Sequence, residues 1–357
     1  MKVLALVPYT LGRAPGQRYR IEQWGPYLAE EGIELSFSSF ASPALMDLLY
    51  EPGHWLRKSW LMMEGWARTL TRAARVQAYD AVFIHREASL VGPAWPERLA
   101  RWAAPRVVYD FDDAVWVPYR SPTHSFFSLL KFPWKTASLC RMASAVIAGN
   151  DHLAEYARRY NGNVHVVPST VSLREYTARP VGRTGDAPVV GWTGSHSSIQ
   201  YLDLVLPALR QLRERMAFRF LIIGVEGIDL PGLEVQCRSW RASTEARDLW
   251  DMDVGIMPLP DEPWARGKCG MKLIQYMGVG VPAVASPVGA NRQIVEHGVT
   301  GLLATNKEEW VASLERLLRD AALRVELGRN ARRVVEKRYS AEVQAPRVAG
   351  ILRGLVR

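Results

Sequence analysis

Cysteine is scarce in this sequence: Cys140, Cys237 and Cys269 are the only three in 357 residues, and no two form a C-x-x-C pair. That excludes a disulfide-stapled scaffold and a cysteine-built zinc site, and fits reduced thiols of the cytosol. Long apolar runs are missing too. Val3-Leu4-Ala5-Leu6-Val7-Pro8 is far short of the ~20 residues a membrane span needs, and it reads as a first β-strand rather than a leader. No repeat or low-complexity tract occurs, and the glycines after that strand are not G-x-G-x-x-G, so no dinucleotide fingerprint is present. Acidic residues are the minority, 36 against 45 lysines and arginines, which leaves a net charge of +9. Such a surface attracts an anionic partner, and nucleotide-sugar, anionic membrane and nucleic acid all qualify. What remains is an ordinary globular composition, 48% hydrophobic and 23% charged, in a chain long enough for two domains.

The most informative stretch runs from Trp264 to Gln293. A glycine-punctuated loop carries Arg266 and Lys268. Lys272 opens a short helix, Met271 to Met277, which Gly278 and Gly280 end, and Val281 to Ser286 follows as a buried strand. Three cations at a helix start, where free N–H groups and the positive dipole end already favour an anion, suggest a phosphate or diphosphate ligand.

K-L-I-Q-Y-M-G-V-G-V-P-A-V-A-S-P-V-G-A-N-R-Q-I-V, from Lys272 onward, resembles the donor-binding signature of retaining GT-B glycosyltransferases of the GT4-like group. The resemblance implies an α/β protein of GT-B fold, two Rossmann-like domains facing a central cleft. It implies hexosyl-type transfer from a nucleotide-sugar with retention of configuration, without metal or other cofactor. Family members carry E-x7-E across this loop and helix. Here the two glutamates are replaced by Gly267 and Gln275, and Asp261 and Glu262 are the nearest carboxylates. Gln275 retains an amide able to hydrogen-bond a ribose hydroxyl.

Earlier in the chain, the loop after the first strand contains Gly16, Arg18 and Arg20. The resemblance places it opposite the donor diphosphate, with phosphate or acceptor contact expected; a solvated basic helix start is the alternative. Ala44 to Ala78, rich in tryptophan, leucine and methionine with interspersed arginines, predicts amphipathic helices. They either pack on the sheet or meet a lipid-linked acceptor or an anionic bilayer. Ala81 to Ile84 predicts a strand ending at His85, which matches the family histidine that hydrogen-bonds the donor sugar. Asp110-Phe111-Asp112-Asp113 follows another strand, and carboxylates there are costly unless solvated or bonded. Asp112 and Asp113 are expected in acceptor binding or general-base work; a metal-binding pair or a helix N-cap are the alternatives.

In the second half, Val189 to Thr193 predicts a strand, and Gly194, Ser195 and Ser197 a phosphate-ready turn. The family's G-R-x4-K would put its cations where Ser195 and Gln200 stand, so Arg266, Lys268 and Lys272 are expected to replace them from the facing loop. Trp240 is expected to hold the nucleotide base, or else to pack. The predicted domains are 1–172 and 189–340, with a linker at 173–188 and a terminal helix at 341–357 packing back on the first domain. Expected partners are a nucleotide-sugar and a saccharide or lipid-linked acceptor; nucleic acid is not expected, since no such module occurs. The expected location is the cytoplasm, with peripheral contact at the inner face of the membrane. Two alternatives are a GT-B domain that binds a nucleotide or partner without turnover, and a sugar-nucleotide epimerase of the same fold.

Overall fold

The computed structural model describes the chain except residues 50, 105, 118–131, 181–186 and 357. The chain divides into two compact units, residues 1–169 with 341–357, and residues 170–340.

Short runs of Val, Ile, Leu and Ala become parallel strands buried on both faces, because crossover helices cover each side of the sheet. In the first unit these are β1 (Lys2–Val7), β2 (Glu34–Ser39), β3 (Ala81–His85), β4 (Val107–Phe111), β5 (Ala145–Ala148) and β6 (Val164–Val166). They lie in the order β2-β1-β3-β4-β5-β6, and every residue of β3, β4 and β5 is buried. The helix Asp151–Arg158 starts where Asn150 accepts from the Leu153 amide at 2.9 Å, the cap its side chain predicts. The helix Ala341–Gly354 packs against the helix Gln23–Glu30 and adds Ala345, Val348 and Leu352 to this unit's core.

The second unit repeats the plan with β7 (Val189–Thr193), β8 (Arg219–Ile223), β9 (Val235–Arg238), β10 (Val254–Met257), β11 (Ala283–Ala285) and β12 (Gly301–Leu303), ordered β12-β11-β10-β7-β8-β9. Residues 173–180, read from sequence as part of a linker, belong to this unit and are anchored to it at Tyr176 and Arg179. Tyr176 is 1% exposed and Arg179 donates to the Met252 carbonyl at 2.7 Å. Residues 181–186 of that linker lie outside the described residues.

Strand order reverses between β1 and β3 in one sheet and between β7 and β10 in the other. Helices leave opposite faces there, which opens a crevice at the carboxyl ends of those strands. The candidate residues collect at these two places.

Candidate functional site

In the first unit, His85 ends β3 and pairs in register with Asp110 on β4. The two side chains meet directly, His85 Nδ1 lying 2.7 Å from Asp110 Oδ2. Arg20 closes the group. It sits in an irregular helical turn, Arg18–Glu22, with its own backbone off helical geometry at φ −124° and ψ −109°. Its Nε donates to both Asp110 oxygens at 2.9 and 3.0 Å and its Nη1 to the Val167 carbonyl at 2.9 Å. All three side chains are fully buried. Burial pushes the Asp110 carboxyl up, but the Arg20 charge and the bonds from His85 and Arg20 outweigh it and hold the carboxyl below its ordinary range.

Arg20 was expected to reach a phosphate or an acceptor. That expectation is corrected: its guanidinium is spent on Asp110 and a backbone carbonyl inside the unit, where a salt bridge stabilises only while both partners stay. With His85 Nδ1 committed to a carboxylate, Nε2 is the atom left over. It is buried and has no partner among the described residues.

Arg86, at the left-handed φ of +56°, turns its guanidinium onto the carboxylates after β4. Nε donates to Asp112 Oδ1 and Nη2 to Asp113 Oδ2, each at 2.5 Å. Gly16 lies against this pair, and a Cβ there would stand 2.6 Å from Asp112 Oδ2 and 2.7 Å from Arg86 Nη2. A side chain at position 16 would therefore displace the ion pair. Burial raises the Asp112 pKa, but Arg86 overrides it and the carboxyl is held well below its usual range. The general-base role expected for Asp112 would need Arg86 to release it first, because a base works best with a pKa near the operating pH. Arg18, half-buried, donates to the Tyr19 hydroxyl at 2.6 Å.

In the second unit, Gly194 follows β7. Its carbonyl closes on Gly224, whose φ of +97° and lack of Cβ permit the approach. The turn exposes Ser195 and Ser197, whose hydroxyls lie 2.9 Å apart. The helix Met271–Gly278 begins at Gly270, which has a φ of +67° and would drive a Cβ to 2.1 Å from Ile294 Cδ1, so only glycine fits.

The lysines come to the turn across packed aromatic rings. Lys272 Nζ stands 5.4 Å from the centre of the Trp192 ring, the ring that lies under Gly194. Lys268 Nζ stands 5.8 Å from Tyr201, just after the turn, and from Trp264. Arg266 is not brought in with them; half-exposed, it pairs with Asp261 at 2.7 Å. The expected cluster of three cations is thus two lysines beside the turn and an arginine tied to a surface carboxylate.

Trp240 and Gln275 are joined by a residue that sequence reading passed over. Glu245 Oε1 accepts from Trp240 Nε1 at 3.0 Å and from Gln275 Nε2 at 2.9 Å, and Gln275 Nε2 also donates to the Tyr176 hydroxyl at 2.9 Å. Gln275 and Glu245 are 5% and 7% exposed. Position 275 lacks a carboxylate, and Glu245 brings one to it from another segment. Nothing in the local sequence marks Glu245, since the link runs between residues 30 apart.

Residues 187–320 match the family described as Glycosyl transferases group 1. The match lies wholly within the second unit and makes it similar to a group 1 glycosyltransferase domain. Alpha-D-kanosaminyltransferase of Streptomyces kanamyceticus is 22% identical over 242 residues, 62% of this chain and 63% of that protein, so the match spans under two thirds of that relative. Both units together align with sucrose-phosphate synthase of Thermosynechococcus elongatus at 17% identity and a TM-score of 0.75, covering 99% of each chain. The Anabaena protein HepE, solved in complex with UDP and glucose, aligns at 18% identity and a TM-score of 0.69, over 99% of this chain and all of that one. Two parallel six-stranded sheets in this order, matched end to end, establish the GT-B fold.

Proposed function

We propose that this chain is a hexosyl-type glycosyltransferase that moves a sugar from a nucleoside-diphosphate donor to a saccharide, glycolipid or small-molecule acceptor, with retention of configuration and without a metal ion. The observation that carries the reading is the placement of Lys268 and Lys272 beside the Gly194 turn in the family-matched unit. Sugar transfer leaves a diphosphate on which negative charge grows as the glycosidic bond breaks. Two ammonium groups, the Ser195 and Ser197 hydroxyls and the helix N-terminus after Gly270 are pre-aimed donors for that charge, and fixed dipoles and cations of this kind lower the barrier most. HepE was solved with UDP and glucose, which supports a nucleotide-sugar here. In this reading Glu245 is the ribose-facing carboxylate that position 275 lacks, with Gln275 and Trp240 fixing its orientation. Metal independence is supported by Arg86, which occupies Asp112 and Asp113, the pair best suited to a divalent cation.

The test is calorimetric titration with UDP, GDP, ADP, TDP and CDP, with and without magnesium or EDTA. One nucleotide is expected to bind wild type in both buffers. Removing the two lysines, Lys268→Ala with Lys272→Ala, is expected to weaken it about 100-fold, about 1.4 kcal/mol for each lysine, near the low end for a charge-assisted contact. Glu245→Gln is expected to weaken ribonucleotide binding about 10-fold while leaving binding of the matching 2′-deoxynucleotide nearly unchanged. Binding without turnover on any acceptor supports the degenerate-domain reading, and no binding by any nucleotide sinks both. Retention is read from the anomeric coupling of the product by NMR.

A further inference from the structure

The helix Trp55–Ala74 in the first unit is apolar on its outer side as well as its inner one. It buries Lys58, Met62, Gly65, Thr69 and Ala73 against the unit. Leu56, Trp60 and Met63 point outward at 91%, 66% and 58% exposure. With Ala67, these positions fall at i, i+4, i+7 and i+11, one stripe of a helix. The inner side takes Met62 into a core cluster with Leu61 and Trp66 packed against it, so the leucine, tryptophan and methionine outside form a second apolar side that packing on this unit does not use. The neighbouring helix Trp95–Ala103 packs against the first and continues the pattern, with Trp95 at 62% and Trp102 at 83% exposure.

The charge around this face is mostly basic. The helix Trp55–Ala74 carries Arg57, Lys58, Arg68 and Arg72 against the single acid Glu64, and Arg57, Arg72 and, just beyond it, Arg75 are exposed. An open depression of about 680 Å³ has Arg98, Arg101, Trp102 and Arg141 among its lining residues. Tryptophans and aliphatics flanked by arginines suit the boundary between headgroups and acyl chains, where the indole sits at headgroup depth and guanidinium groups meet phosphates. An isologous second copy would bring these arginines against themselves. No helix among the described residues is long and apolar enough to cross a membrane, so attachment by this face would be superficial.

We propose that the face formed by Leu56, Trp60 and Met63, with Trp95, Trp102 and their arginines, docks the first unit on an anionic phospholipid bilayer, the basic depression receiving a headgroup phosphate. The proposal rests on surface observations of the first unit and stands whether or not the donor reading holds.

The test is flotation of the full chain with vesicles of phosphatidylcholine, alone or mixed with phosphatidylglycerol. Binding is expected only to the mixed vesicles, is expected to fall in about 1 M salt where charges are screened, and is expected to bring tryptophan quenching by brominated acyl chains. Leu56→Glu with Trp60→Glu, and separately Arg57→Glu with Arg72→Glu and Arg75→Glu, are each expected to weaken binding roughly 10-fold or more. Val325→Glu, at another exposed apolar position in the second unit, is expected to leave it unchanged. Circular dichroism reports folding of each variant, and the single change Trp60→Ser serves if the double one does not fold. Absence of vesicle binding, or binding that these changes leave intact, overturns the proposal. A dimer seen by light scattering that Trp60→Ser dissolves also overturns it, and assigns the face to a second copy.

Discussion

Replacing Asp110 by alanine is expected to cost the first unit about 3–5 kcal/mol, because it leaves the fully buried Arg20 guanidinium without its counter-charge. The Val167 carbonyl still accepts from Arg20 after the change, but a neutral acceptor does not offset a buried cation. The readout is urea unfolding followed by a probe in each unit, since two units need not unfold as one. The first-unit transition is expected to move to much lower urea while the second stays in place. The same carboxylate predicts a pH dependence. Its folded pKa lies below its ordinary value, so its contribution is complete above the unfolded pKa of roughly 4 and disappears as pH falls through the folded one. Asp112, held down by Arg86, acts in the same direction. Wild type is therefore expected to lose first-unit stability in acid below about pH 4, and the Asp110→Ala variant to lose less over that range. A variant with an unshifted urea midpoint would show that Arg20 finds other compensation.

The acidic run after β4 shows where sequence reading stops. Asp110, Asp112 and Asp113 were visible as costly carboxylates at a strand end, and His85 as the end of the preceding strand. That β3 and β4 are neighbours with His85 beside Asp110 is a matter of register, which no local pattern states. Arg20 looked like a surface cation because its neighbours Arg13 and Arg18 share its chemistry, and burial depends on a backbone irregularity at Arg20 itself. Arg86 went unremarked although it fixes both later aspartates. In the second unit the strand, turn and helix pattern was legible, since glycines with positive φ and apolar runs are local signals. Of the three expected cations, Lys268 and Lys272 lie over aromatic rings at the turn, while Arg266 pairs with Asp261, five residues away. Glu245 stayed hidden because a single buried carboxylate has no periodicity. Sequence displayed the elements, whereas the pairings that tune each charged group arose only from the fold.

Changing His85 to phenylalanine is expected to lower kcat for sugar transfer by about 10²–10³-fold while nucleotide binding to the second unit holds within about 2-fold. The imidazole is fully buried and fixed by Asp110, and its Nε2 has no partner among the described residues. A buried polar atom left unsatisfied costs about 1–3 kcal/mol, which a folded protein bears where a ligand completes the bond. Phenylalanine keeps the ring's volume and removes both nitrogens, and Asp110 keeps its pairing with Arg20, so the fold is expected to survive. Glutamine at the same place can still offer a polar atom and is expected to recover part of the rate. Separate measurement of kcat and of nucleotide affinity decides the point. A proportional loss of both would indicate a collapsed unit. Full activity in the phenylalanine variant would make His85 a packing residue whose open nitrogen serves no substrate, and would move the chemistry on the first unit to the Arg86, Asp112 and Asp113 group.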